Sequence, residues 1–335
     1  MTMRLPIFLP GIVVACSVLA VGASCGRREQ AGETIRIASV LPAEHPSSQA
    51  LVFFQQRLEE LSGGEVRVRL FLNSQLGNDI ETVEMCQMGN IEAVFISSAS
   101  MSQFIPELTA FSMPFIFRDS EHVYAVVDGP VGDGFREELE GINFRVLGFY
   151  DAGSRNMMTN TGPIESPADL AGMKIRVMPA PVLVDTINAL GAAAISIPQG
   201  EVYTALQTGV IDGWENNPQT AASFRMYETG CVHYAHTKHL MIPDMLLLNR
   251  SFYAGLAPHV QAWIDQAGRE AELHQRALWQ ESEKETIARL QQAGMEFNPV
   301  DLEPFRARVD GVYEKYYRRY GPEYEAICRR IVETE

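Results

Sequence analysis

Two arginines stand where a charge is costly. Arg176 interrupts the apolar run Ile175, Val177, Met178 in "KIRVM", and Arg155 lies in "YDAGSRNMMTN". A guanidinium inside a buried strand is expensive unless something answers it. Its planar fork donates two parallel hydrogen bonds to a carboxylate and keeps its charge in neutral water. Two chemistries therefore compete: an internal ion pair with one of the 42 acidic side chains, or a seat for a carboxylate from outside. Spacing leaves both open for Arg176. For Arg155 the internal pair is the plainer reading.

Other polar residues fall at strand ends. Asn216 and Asn217 follow Trp214 in "GWENNP". Amides donate and accept, which hydroxyl groups require, while an indole can stack on the apolar face of a sugar or simply fill a core. His45 precedes a proline at the first strand-to-helix turn, where open α/β sheets hold ligands, and Ser97 and Ser98 close the third strand in a similar position. As single residues these three also suit turns and caps. Signatures of bond chemistry are scarce. HExxH, GxxxxGK[ST] and GxGxxG after a strand are missing from the sequence, and there is no GxSxG elbow, since the match Gly22–Gly26 falls at the exit of the apolar N-terminal run and not on a strand-to-helix turn. His233, His236 and His239 in "HYAHTKH" do not converge on one point in either a helix or a strand, so a surface or hydrogen-bonding role is expected over a metal site. Asp212 and Glu215 could serve as general acid and base, and His45 as a base, which leaves an exported hydrolase or lyase as a second reading. No metal or cofactor is expected.

These residues need elements to hold them. "TIRIASV" predicts a strand over Thr34–Val40, "PSSQALVFFQQRLEELSGG" a helix, Glu65–Phe71 a strand, a helix ending at Met88, and a strand near Ile91–Ile96. That alternation is the order of an open α/β sheet with right-handed crossovers. A proline-interrupted stretch, an acidic helix over about Asp119–Glu140 and a strand at Asn143–Tyr150 follow. The pattern restarts near Asp151–Gly153, so the second unit repeats strand, helix, strand. Two such units predict two lobes with a cleft between them. His239–Asn249 reads as one extended apolar stretch. A helical pattern over about Pro258–Ala293 would span roughly 50 Å, long enough to brace both lobes. Helices over about Leu302–Tyr320 and Glu323–Glu333 end the chain. The expected partition is 34–152 with about 242–281 in lobe I, and 153–241 with about 282–335 in lobe II.

With 335 residues, 46% hydrophobic and 21% charged, the chain has globular composition. A net charge of −15 provides no basic surplus for a nucleic acid, although a local arginine cluster can still seat a small anion. Arg4 followed by the apolar Leu5–Ala23 reads as a secretory signal over 1–24, with a membrane anchor as the alternative. Gly22-Ala23-Ser24-Cys25 is similar to a bacterial lipobox, which makes Cys25 the lipidation candidate and 25–33 a linker. Plain cleavage and the looser match at Cys16 are the alternatives. Cys86, Cys231 and Cys328 lack metal or CxxC spacing and are expected as thiols. No later run is long and apolar enough for a membrane span, so transport would need separate membrane subunits.

"GMKIRVMPAPVLVDTINALGA" and "GEVYTALQTGVIDGWENNP", with "SQLGNDIETVEMCQMGNIEA" and "GSRNMMTNTGPIESPADLAGMKIRV", resemble the solute-binding subunits of tripartite ATP-independent periplasmic (TRAP) transporters of the DctP type. The resemblance runs from about Ile35 into the C-terminal helices. It implies two α/β lobes joined by hinge strands and braced by a long helix, closing on a carboxylate-bearing ligand without bond chemistry. It also implies partners, the small and large TRAP membrane subunits, with a sensor as another possible recipient. Arg176 falls where the family places its main carboxylate-binding arginine, Arg155 matches a second arginine, and Asn216 matches the asparagine of the "ENP" or "ENN" stretch. Ser97 falls where a relative binding a larger acid has glutamate. The "ENN", "RVMPAPV" and "GSR" forms look most like members that bind sugar acids, uronates or aldonates, with dicarboxylates as the competing class.

Overall fold

The computed structural model describes residues 32–335 together with Thr2. The signal segment and Cys25 lie outside the described residues. Two sheets organise the remainder. The first has the order β2-β1-β3-β10-β4, formed by β1 (Glu33–Ala38), β2 (Val66–Phe71), β3 (Ala93–Ser97), β4 (Phe144–Tyr150) and β10 (Asp244–Asn249). β1 pairs in parallel with β2 and β3, whereas β10 runs antiparallel to β3 and β4. The second has the order β11-β9-β5-β8-β6-β7. Its strands are β5 (Ser154–Thr159), β6 (Lys174–Val177), β7 (Ala193–Ser196), β8 (Gly213–Asn216), β9 (His233–Met241) and β11 (Glu296–Pro299).

The chain passes between the sheets at three places, and each has a local cause. From β4 to β5 it runs through Asp151-Ala152-Gly153. Gly153 sits at φ +58, and a Cβ there would come within 2.9 Å of Trp279 Nε1, so a side chain is excluded on both counts. From β9 to β10 it runs through Ile242-Pro243. Proline has no N–H for a ladder, so the apolar stretch expected as one extended segment is two strands in different sheets. The third passage is the helix Pro258–Gln292, 35 residues and roughly 50 Å long. It packs on the helix Pro46–Leu61 and β4 at one end and on the helix Pro218–Ser223 further along. Gln275 on this helix exchanges hydrogen bonds with the Asp151 backbone, giving at 2.7 Å and receiving at 2.9 Å. The brace is thus tied to the first crossing.

Some expectations fail for identifiable reasons. The acidic helix over Asp119–Glu140 is two helices, Ser120–Val127 and Pro130–Gly141. Pro130 lacks the amide needed to continue the first and starts the second, where its missing donor costs nothing. β5 escapes the sequence pattern because "SRNMMT" is polar in its first half. β11 is four residues and half-buried, too short for a period to show. The final helices were expected with lobe II, but they touch both halves. Lys315 pairs with Asp185 beyond β6, whereas Arg118 and His122, on the β3–β4 side, bond the carbonyls of Thr334 and Ile331. A single apolar core runs from Ile96 and Leu247 of the first sheet to Ile175 and Val177 of the second, with Tyr316, Tyr324 and Ile331 in it.

Candidate functional site

Where the two sheets face each other, side chains line a small, partly closed cavity of about 50 Å³. The first sheet contributes Phe95, Ser97 and Asp244, the cap of the helix Pro46–Leu61 contributes His45, and the first turn of the helix Asp79–Gln87 contributes Asp79. The second contributes Arg155, Met178, Gln199, Asn216, Asn217 and Thr220.

The structure answers what Arg176 faces. The side chain is fully buried; Nε donates to Ile197 O at 2.7 Å and Nη1 to Gln199 Oε1 at 3.1 Å. Among the described residues Nη2 has no acceptor, and neither has the buried Nε2 of Gln199, the residue that holds the guanidinium. Buried donors are nearly always paired, so two adjacent orphans call for an explanation. Desolvation pushes the arginine down to about 10, with Glu215 and Asp79 opposing that shift and Arg155 adding to it. Arg176 does not itself border the cavity. Gln199, which it touches, does, and so does Asp79, whose charge it feels.

Arg155 is a different case. It grips Glu215 in a two-pronged pair, Nε to Oε2 and Nη2 to Oε1, and gives further bonds to Glu215 O and Asn216 Oδ1. Glu215 is completely buried and has this arginine as its counter-ion, so Arg155 brings little net charge to the cavity it borders. His239 Nε2 lies 3.7 Å from Glu215, and burial together with Arg155 pushes the ring down to about 3, which keeps it neutral. Asn216 accepts from Arg155 and from the Asn217 amide through Oδ1; among the described residues no protein acceptor meets its Nδ2. Asn217 caps the helix Pro218–Ser223 and donates to Ala152 O at the first crossing.

His45 joins the sheets. Its Nδ1 accepts from the Ser47 amide, which puts the proton on Nε2 and makes that atom the donor to Thr220 Oγ1, 3.2 Å away on the opposite side. Burial pushes the ring down to about 3. Ser97 lines the cavity beside Asp244, its register partner across the sheet. Trp214 corrects an expectation. The indole is fully buried among Val202, Leu206, Ile211 and Tyr234 and is not on the cavity wall, so it supports the second sheet and stacks on nothing within the site. The Asp212/Glu215 pair also dissolves: Asp212 accepts from the Lys174 amide, and Glu215 is held by Arg155. The three histidines of β9 are separated likewise. His239 faces Glu215, His233 pairs with Glu296, and the His236 ring lies against Phe297.

Sequence reasoning missed Asp79, Asp244 and Gln199. Asp79 reads as an ordinary first-turn acid of a helix capped by the reciprocal Asn78–Glu81 pair. Asp244 did leave a signal, a lone acid between Pro243 and the apolar "MLLLN". Burial raises its carboxyl to about 7, Asp79 and Asp151 reinforce the shift, and Arg155 and Ser97 oppose it.

Residues 37–319 match the family DctP, bacterial extracellular solute-binding protein, family 7. The chain belongs to this family. A TRAP periplasmic solute-binding protein from Sulfitobacter with bound β-D-galacturonate superposes with a TM-score of 0.87 at 31% identity, covering 90% of this chain and 99% of that one. One from Chromohalobacter salexigens with bound D-glucuronate gives 0.87 at 30% identity, covering 90% and 100%. The C4-dicarboxylate-binding periplasmic protein DctP of Rhodobacter capsulatus is 30% identical over 86% of this chain and 88% of its own. The chain is thus a TRAP solute-binding protein with the two-lobed fold of that group.

Proposed function

We propose that this DctP-family protein captures a sugar acid, a uronate or aldonate, between its two sheets and presents it to TRAP membrane subunits. The observation that carries the reading is the pair of buried, unpartnered donors, Arg176 Nη2 and Gln199 Nε2. A ligand carboxylate admitted past Gln199 would satisfy both, and in a site closed to water such a charge-assisted contact is far stronger than at a surface. Asn216 Nδ2 and the cavity aspartates then suit hydroxyl groups, which both give and accept hydrogen bonds. Bound galacturonate and glucuronate in proteins of the same fold at 30 and 31% identity support a sugar-acid ligand.

The mechanism is capture. Ligand energy shifts an open–closed equilibrium toward the closed form, in which His45 on one side and Thr220 on the other meet. Asp151–Gly153 and Ile242-Pro243 are the hinges, and the long helix limits the swing. Export by the segment 1–24 and a lipid at Cys25 would hold the protein at the outer face of the inner membrane. Intact mass of membrane-extracted protein tests the lipid.

Ligand-free protein titrated calorimetrically with D-galacturonate, D-glucuronate and D-galactose tests the ligand reading. Binding of the acids and none of the neutral sugar is expected. Equal binding of galactose would refute the carboxylate seat.

A further inference from the structure

The cavity holds more acid than a seat for an anion would call for. Asp79 and Asp244 both border it. Arg155 is already spent on Glu215 through a two-pronged pair, so Arg176 is the one cation of the site among the described residues whose fork is left unfilled. Asp79 accepts from Ser100 Oγ at 3.1 Å and feels the charge of Arg176. Asp244 pairs in register with Ser97 at the end of β3, and the neighbouring Asp79 raises its carboxyl further. Both acids keep part of their surface open to the cavity while burial holds their carboxyls above the usual range.

This distribution distinguishes two kinds of anion. A ligand with one carboxylate and several hydroxyls can put its charge on Arg176 and its hydroxyl protons on Asp79 and Asp244. A ligand with a second carboxylate at its far end would press like charge against like, where little water screens it. The aspartates would then each lose a hydroxyl donor and face an acceptor instead.

Resting on the sugar-acid reading above, we infer that Asp244, assisted by Asp79, is the specificity-determining residue that reads ligand hydroxyls and rejects acids carrying a second terminal carboxylate. The protein is accordingly selective for hydroxylated monocarboxylates. Sequence identity alone would not separate it from a relative that binds C4-dicarboxylates. Asp244→Asn keeps the shape and replaces a carboxyl that can carry charge with an amide that stays neutral and always donates. The change removes the repulsion and half of the hydroxyl-accepting capacity.

The test is calorimetric titration of ligand-free wild type, Asp244→Asn and Asp79→Asn with D-galacturonate and with galactarate. These two acids share a six-carbon chain, but galactarate carries a second carboxylate where galacturonate has its aldehyde and stays open-chain. D-Galactonate, an open-chain monocarboxylate, is therefore titrated beside it to separate charge from ring form. Wild type is expected to bind galacturonate at least tenfold more tightly than galactarate. Asp244→Asn is expected to shrink that ratio about tenfold, losing galacturonate affinity while gaining galactarate affinity, and Asp79→Asn to shrink it less. Circular dichroism and a melting curve establish that each variant is folded, and removal of a desolvated carboxylate favours that outcome. Equal or tighter binding of galactarate by wild type overturns the inference alone, as does an unchanged ratio in folded Asp244→Asn. Absence of heat from both acids, with wild type folded, sinks the sugar-acid reading and this inference together.

Discussion

Replacing Arg176 with methionine separates a residue kept for a ligand from one kept for the fold. The guanidinium is fully buried, and desolvation outweighs its neighbours, leaving it at about 10 against an ordinary 12.5. For a basic group whose folded value is depressed, the folded state carries a cost at every pH below the folded value. The cost fades only above it, as the group loses its proton. The depression corresponds to about 3 kcal/mol at neutral pH. Methionine removes that cost and keeps the apolar stem. It also leaves Ile197 O and Gln199 Oε1 without their donor, a loss of about 1–3 kcal/mol each at worst, since Gln199 can turn to the cavity. The two effects roughly cancel, so ligand-free Arg176→Met should melt within a few degrees of wild type. Binding should behave otherwise. Truncating one partner of a buried, hydrogen-bonded charge pair costs roughly 2–5 kcal/mol, or about 30- to 4,000-fold in Kd. The assay is calorimetric titration with D-galacturonate beside a thermal melt with and without ligand, where the stabilisation by ligand reports affinity. A ligand-free variant that loses most of its stability yet binds the acid as wild type does would refute the reasoning, because Arg176 would then serve the fold.

Three further outcomes are expected. Glu215→Gln leaves Arg155 buried without its counter-ion and should cost about 3–5 kcal/mol in urea unfolding; a loss under about 1 kcal/mol would show that the pair is dispensable. Gly153→Ala must adopt φ +58 and crowd Trp279 Nε1, so a loss of about 1–3 kcal/mol is expected, and an unchanged midpoint would contradict the crossing geometry. His45 is held at about 3 against an ordinary 6.5 by burial, so the unfolded chain takes up a proton at that site between those values and the folded chain does not. Its contribution to stability is therefore full above about 6.5 and is lost as pH falls toward 3. Asp244 and His239 also titrate abnormally, the acid in the opposite sense, so the measurement is the difference between wild type and His45→Gln. Wild type should lose about 2–3 kcal/mol relative to the variant between pH 6.5 and 4.5, and parallel curves would refute the buried neutral ring.

Periodicity reveals the fold wherever one face of an element is apolar over several turns, as in Pro46–Leu61 or Pro258–Gln292. It is blind where a strand carries the site. β5 opens with Ser154, Arg155 and Asn156, because that end faces polar partners and not a core. Arg176 was visible because its neighbours are apolar, so the charge stood out. Asp79 and Asp244 were hidden for the opposite reason: one resembles a helix-start acid and the other a strand-end acid, and both are common on surfaces. What makes them unusual is a desolvated cavity assembled from residues as far apart in the chain as 45 and 244. Trp214 misled because indoles suit both a core and a sugar face, and only the packing around Val202 and Tyr234 decides between them.

The central claim is that a ligand carboxylate completes the unfilled fork of Arg176. A crystal structure of the protein grown with D-galacturonate tests it most directly. The account predicts one sugar acid between the sheets, its carboxylate within hydrogen-bond distance of Arg176 Nη2 and its hydroxyls turned toward Asp244 and Asn216. A carboxylate seated elsewhere, with Arg176 Nη2 still unpartnered, would contradict it.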